Sequence, residues 1–83
     1  MNENEIRQSV RAIIVERISV NPADVLPSKL FAEDLGGDSL DKVEILMDLD
    51  KKFKINTTDE SVEFAENLKT IGDIEDVVVS RVK

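Results

Sequence analysis

The sequence predicts an all-α protein: a four-helix bundle with three longer helices, one short helix and a long first loop. Three observations carry that prediction. Apolar residues recur at helical spacing in separate stretches, no segment of useful length alternates apolar and polar residues, and no repeat, low-complexity tract or linker interrupts the 83 residues. A chain this short is one small domain that buries only a little over about 60% of its unfolded surface, so its core is thin. A conventional enzyme pocket has little room.

The first helix is expected from about Asn4 to Ser19, where Ile6, Val10, Ile13, Ile14 and Ile18 fall on one stripe and Arg7, Arg11, Glu16 and Arg17 fall elsewhere on the wheel. Asn21-Pro22 stops it. Residues from about Val20 to Asp38 hold no sustained period, both prolines and all but one of the glycines, with apolar anchors at Val25, Leu26, Leu30, Phe31 and Leu35. A loop of that length in a compact domain is usually functional, and the anchors pin it to the core. The second helix runs from about Ser39 to Phe53, the short third from roughly Glu60 to Asn67 around Phe64, Ala65 and Leu68, and the fourth from about Ile71 to Val82. Thr70 and Asp73 resemble a capping box for the fourth, and Ile71, Ile74, Val78 and Val82 give its stripe. Val77, Val78 and Val79 are consecutive and β-branched, which keeps a strand open there, but cap and period favour helix.

Charge and composition exclude several functions. Eleven basic against 18 acidic residues give a net charge of −7, a field that repels nucleic acid and anionic membrane surfaces and favours basic protein patches. With no Cys and no His, disulfides, thiolate metal sites, Cys nucleophiles and the commonest general base are absent, so intrinsic catalysis and a metal site are not expected. The apolar runs fall well short of the roughly 20 residues of a membrane span, and the opening MNENEIRQ has no signal-peptide pattern. The expected compartment is the cytoplasm.

The candidate site is Gly36-Gly37-Asp38-Ser39-Leu40, a permissive backbone followed by two possible helix caps. If Asp38 caps, Ser39 is the first helical residue and Asp41 takes the third position, where an acidic side chain is favoured. If Ser39 caps, Lys42 takes that position and cannot return the bond. The first arrangement is better, and it leaves a primary hydroxyl at the positive end of a helix, where an attached phosphate is stabilised. A serine that merely begins a helix is the bland alternative, and the pentapeptide alone favours it. Further along the helix, Ile45, Leu46, Leu49 and Phe53 form one face; Leu40, Val43 and Met47 form an adjoining strip flanked by Asp41, Glu44 and Asp50. The strip is either ordinary core with a solvated acidic edge or a docking surface for basic, amphipathic partners, and periodicity does not decide between them.

Two other motifs fail on chemistry. Gly-Asp-Ser-Leu also opens a class of serine esterases, but no His is present to take the serine proton. Asp48, Asp50 and Asp59 match three EF-hand positions, yet Lys52 and Phe53 occupy the next ligand position and the obligatory glycine turn.

The stretch FAEDLGGDSLDKVEILMDLDKKF, residues 31–53, closely resembles the core of acyl carrier proteins, with its acidic Asp-Leu-Gly, Asp-Ser-Leu, Val-Glu and a Phe-terminated helix. The resemblance covers nearly the whole chain, strongly in the middle and weakly at the ends, and implies that residues 1–83 are a single acyl carrier domain. It implies that Ser39 receives a covalent 4′-phosphopantetheine from coenzyme A through a separate holo-acyl-carrier synthase, a phosphopantetheinyl transferase, with Asp38 assisting. The thiol of that arm would carry acyl groups as thioesters among acyl-transferring and fatty-acid-synthesis enzymes with basic docking patches. Leu40, Asp41, Val43, Glu44, Met47 and Asp50 would meet those partners, and Leu46, Leu49, Phe53, Phe64 and Ile74 would line a shelter for the acyl chain in a monomeric bundle. The chain departs from the fatty-acid type at Lys51 and Lys52, where Glu is common, and at Thr57-Thr58, which replaces Ile-Pro before Asp59-Glu60. These departures point towards a specialised lipid or polyketide carrier, and Gly36-Gly37 also resembles peptidyl carrier domains. A small unmodified acidic interaction module is the competing class, and a hydrolase the weakest.

Overall fold

The computed structural model describes residues 2–58 and 61–82. Its four helices are α1 (Glu3–Ile18), α2 (Ser39–Phe53), α3 (Val62–Asn67) and α4 (Ile71–Val82). The expected all-α bundle is therefore the fold, and among the described residues the only β feature is an isolated antiparallel bridge between Leu30 and Thr70.

Each helix begins on a side-chain cap. The Asn2 and Glu5 side chains form a reciprocal capping box on α1, Asp38 and Asp41 form one on α2, and Ser61 Oγ accepts from the Phe64 N–H at the start of α3. At α4, the Asp73 N–H donates to Thr70 Oγ1 at 3.0 Å while Asp73 Oδ2 accepts from the backbone N–H groups of Lys69 and Thr70. Such caps satisfy N–H groups that a helix start otherwise leaves unpaired. The expected start of α3 at Glu60 lies outside the described residues. α1 and α2 both end on a residue in the left-handed conformation, Ser19 at φ 55° and Lys54 at φ 56°.

α1 packs against α4 and α2, and α2 also meets α3 and α4. Ile6, Val10 and Ile14 of α1, Ile45, Leu46 and Leu49 of α2, and Ile71, Ile74, Val78 and Val79 of α4 form the core, with Leu68, Val25 and Phe31 closing it. Val77–Val79 are helical, because α4 buries one face against two neighbours and has no strand to pair with. The helical stripe of α4 also hides a carboxylate. Glu75 is fully buried, held by Arg7 Nη1 at 3.0 Å and by Arg11 Nε, so two arginines that fall outside the apolar stripe of α1 clamp α4.

The long loop contains a 3-10 turn at Pro22–Asp24 and then runs across the N-terminus of α4. The N–H groups of Ile71 and Gly72 donate to the carbonyls of Lys29 and Pro27 at 3.0 and 2.9 Å, and the Phe31 N–H donates to the Lys69 carbonyl at 2.8 Å. The loop thereby supplies acceptors for the first turn of α4. Val25 and Phe31 are buried anchors as expected, but Leu26 is exposed, because its segment turns back through the Lys29 N–H to Leu26 carbonyl bond.

Candidate functional site

The loop delivers its last residues to α2 through two glycines with different duties. Gly36 has φ +74°, a left-handed turn that a side chain would strain. Gly37 is buried, and a Cβ there would collide with the Phe31 ring. Phe31 is thus the floor on which the start of α2 rests.

Asp38 is the N-cap. Its Oδ1 accepts from the Asp41 N–H at 2.8 Å, and Asp41 Oδ2 accepts from the Asp38 N–H at 3.1 Å. Of the two caps that the sequence offers, the first is realised. Ser39 is consequently the first residue of α2, it is exposed, and its hydroxyl makes no hydrogen bond among the described residues. The N–H groups of Ser39 and Leu40 are also unclaimed there, so the hydroxyl stands beside unpaired donors at the positive end of a 15-residue helix. That environment fits an attached phosphate: it offers donors and a favourable dipole, and no scaffold contact has to break.

A cleft of about 170 Å³ opens beside the hydroxyl, lined by Ser39, Lys42, Val43, Ala65 and Glu66. Lys42 Nζ donates to the Ala65 carbonyl at 3.2 Å and lies 5.8 Å from the centre of the Phe31 ring, tying α2 to the end of α3 across the cleft. Burial pushes its ammonium below the usual lysine range, against the pull of Glu66, Asp73 and Glu33. In the sequence Lys42 stands out only as a residue unable to complete a cap. Its position one helical turn beyond Ser39 was the available signal.

The strip of Leu40, Val43 and Met47 is surface. These residues are 64%, 41% and 46% exposed, and with Leu26 they are the exposed large hydrophobics among the described residues. Glu44 lies alongside, but Arg17 Nη1 of α1 donates to its Oε2 at 3.1 Å, and Arg17 Nη2 donates to Asp48.

Asp50, one of the residues expected to meet partners, is engaged within the chain. Its Oδ1 accepts from the N–H and hydroxyl of Thr57 at 2.9 and 2.6 Å, and its Oδ2 from the N–H and hydroxyl of Thr58 at 3.0 and 2.8 Å. The left-handed residue Lys54 brings the chain back over the helix end, and Asp50 ties it there. Desolvation pushes this carboxylate up, but the hydrogen bonds from Thr57 and Thr58 together hold it below the usual aspartate range. Of the expected acyl-lining residues, Leu46, Leu49 and Ile74 are packed in the core, while Phe53 and Phe64 are half-buried against it. None of the five lines the cleft beside Ser39. Of the three EF-hand positions, Asp48 and Asp50 are engaged as described, and Asp59 lies outside the described residues.

Residues 8–78 match the family model described as "Phosphopantetheine attachment site". Along its length the chain is 44% identical over 82 residues to the acyl carrier protein of Thermosynechococcus vestitus, covering 99% of this chain and 98% of that one. It is 46% identical over 67 residues to the acyl carrier protein of Helicobacter hepaticus, covering 81% and 84%. The solved structure of the acyl carrier protein from Enterococcus faecalis superposes with a TM-score of 0.76 at 28% identity, covering 98% of this chain and 99% of that one. The chain therefore belongs to the acyl carrier protein family, whose members act as carriers through a covalently attached 4′-phosphopantetheine.

Proposed function

We propose that Ser39 is the residue that bears the 4′-phosphopantetheine, and that this chain is a single acyl carrier domain without catalysis of its own. The observation that carries the reading is the division of labour at the start of α2: Asp38 caps, so the Ser39 hydroxyl is exposed and has no structural duty. In the loading reaction Ser39 Oγ forms a bond to the phosphorus that bears the pantetheine arm of coenzyme A. The pyrophosphate bond breaks and the adenosine bisphosphate leaves. The serine proton passes to a base on the transferase, since this chain has no His to take it.

An acyl group on the arm enters at the cleft between α2 and α3 that Lys42, Val43, Ala65 and Glu66 line beside Ser39. Leu46, Leu49, Phe53, Phe64 and Ile74 lie in the interior beyond, and sheltering a chain there requires them to part. The exposed strip of Leu40, Val43 and Met47, with Asp38, Asp41 and Glu44 beside it, is the face read by the transferase and by acyl-transferring enzymes with basic patches. No helix among the described residues is long and apolar enough to cross a membrane, and a cytoplasmic monomer serving fatty-acid or related lipid and polyketide enzymes fits the acidic surface. Lys51 and Lys52 favour a specialised pathway.

Incubating the apo chain with coenzyme A, magnesium and a phosphopantetheinyl transferase is expected to add one prosthetic group by intact mass, and Ser39→Ala to add none. An adduct retained in Ser39→Ala, or no adduct with several competent transferases, overturns the assignment.

A further inference from the structure

The free charge along α2 changes sign from one end to the other. At the Ser39 end, Asp38 and Asp41 each keep one carboxylate oxygen outside the capping box. In the middle, Glu44 and Asp48 are both drawn towards α1 by Arg17. In the last turn, Asp50 has both oxygens engaged by Thr57 and Thr58. What remains unpartnered at this end, among the described residues, is cationic: Lys51, Lys52 and Lys54, all exposed.

A groove of about 460 Å³ opens beside Lys51 and Lys54, lined by these two with Met47, the engaged Asp50, Ile55, Asn56 and Thr58. Met47 is also the last residue of the exposed apolar strip that begins with Leu40 and Val43. The strip therefore runs out of an acidic zone and into a lysine-rimmed groove. Lysines in a last turn complement the helix dipole, which accounts for their sign but not for a groove between them that Met47 and Ile55 help to line.

We propose that this face is a two-poled docking surface. Its partner is a protein that is cationic opposite Asp38 and Asp41, bears carboxylates opposite Lys51 and Lys54, and carries an apolar ridge between. The inference rests on the reading of α2 as the docking face. The two poles fix the direction of docking, because the reversed arrangement sets like charge against like and is disfavoured. A uniformly basic partner meets Lys51 and Lys54 at the far end and is discriminated against by the same surface.

Two synthetic amphipathic helices with the same apolar face test this by fluorescence anisotropy against the full chain. One has arginine along its whole polar flank; the other has arginine in its first half and glutamate in its second. The double variant Lys51→Glu/Lys54→Glu is expected to weaken the mixed-charge helix by about three- to tenfold and to tighten the all-arginine one. Lys51→Gln/Lys54→Gln, which leaves no new acid at the helix end, is expected to shift both in the same directions by less. Loading of Ser39 is followed separately by intact mass, so its failure is not confused with a loss of helix binding. The proposal is overturned if the mixed-charge helix keeps its affinity in the double variants, if it tightens together with the all-arginine helix, or if neither helix binds the unmutated chain. Lysines that serve only the helix dipole would lower the melting temperature without altering the relative affinity of the two helices, and that result also overturns it.

Discussion

Gly37 has no room for even one methyl group, because the Phe31 ring occupies the space its Cβ would take. Phe31 is buried and cannot retreat into solvent. Gly37→Ala is therefore expected to cost about 1–3 kcal/mol in urea unfolding, as overpacking does, and to slow loading of Ser39, which stands two residues away. Asp38 and Ser39 are adjacent but not equivalent. Asp38→Ala removes a cap and is expected to cost about 0.5–2 kcal/mol, whereas Ser39→Ala removes a hydroxyl that bonds nothing among the described residues and is expected to leave the urea midpoint unchanged. Equal losses would mean that the serine shares the capping. The cap assignment was legible because only Asp38 capping places an acid at the third helical position. Asp50 was not legible: its spacing placed it beside the docking strip, and nothing in a helical wheel shows a chain returning with Thr57 and Thr58 to bond it.

At the scale of elements, the contact between α1 and α4 is both apolar and ionic. Glu75 is fully buried, while its partners Arg7 and Arg11 keep a quarter and a third of their side chains in solvent. The two sides of the clamp are therefore unequal. Removing both arginines by Arg7→Gln/Arg11→Gln leaves a buried carboxylate uncompensated and is expected to cost about 3–5 kcal/mol, whereas Glu75→Gln leaves arginines that water can still reach and is expected to cost less. Denaturant unfolding of the two variants checks the order. Asp73, at the start of α4, has its carboxyl held below the usual aspartate range, first by the Thr70 N–H against desolvation, then by the Lys69 N–H and the Thr70 hydroxyl. Asp50 is shifted the same way. A carboxyl depressed in the folded state contributes stability that is complete above its unfolded value of about 3.9 and is lost as pH falls through the folded value. Melting temperature is thus expected to fall below about pH 4, with a shallower acid limb in Asp73→Asn; identical limbs would contradict this. The longer helices were legible from their apolar period, with a cap marking the starts of α2 and α4. The ionic clamp was not, because a wheel assigns arginine and glutamate to water and cannot register that Arg7, Arg11 and Glu75 face one another across two helices.

Across the whole molecule, a net charge of −7 on a thin core means that self-repulsion is a sizeable fraction of the stability balance. Raising salt from about 10 to 200 mM shortens the screening length severalfold and is expected to raise the melting temperature, with magnesium effective at lower concentration; a melt insensitive to both would contradict this. The acidity is also directional, since Arg17 and the Thr57-Thr58 turn occupy the acids of the middle and far end of α2 and leave its start as the negative pole. The net sign of the surface could be read from composition, but its distribution could not, because which acids are occupied depends on tertiary neighbours. On the proposed reading, the protein's chemistry is concentrated at one hydroxyl that the bundle holds out and does not use. Tandem mass spectrometry of proteolytic peptides from the chain, expressed in a host with an active transferase, tests it most directly. A single phosphopantetheine is expected on Ser39, in the peptide that joins the loop to α2. The same group found on another serine or threonine, or no group on any peptide, would contradict it.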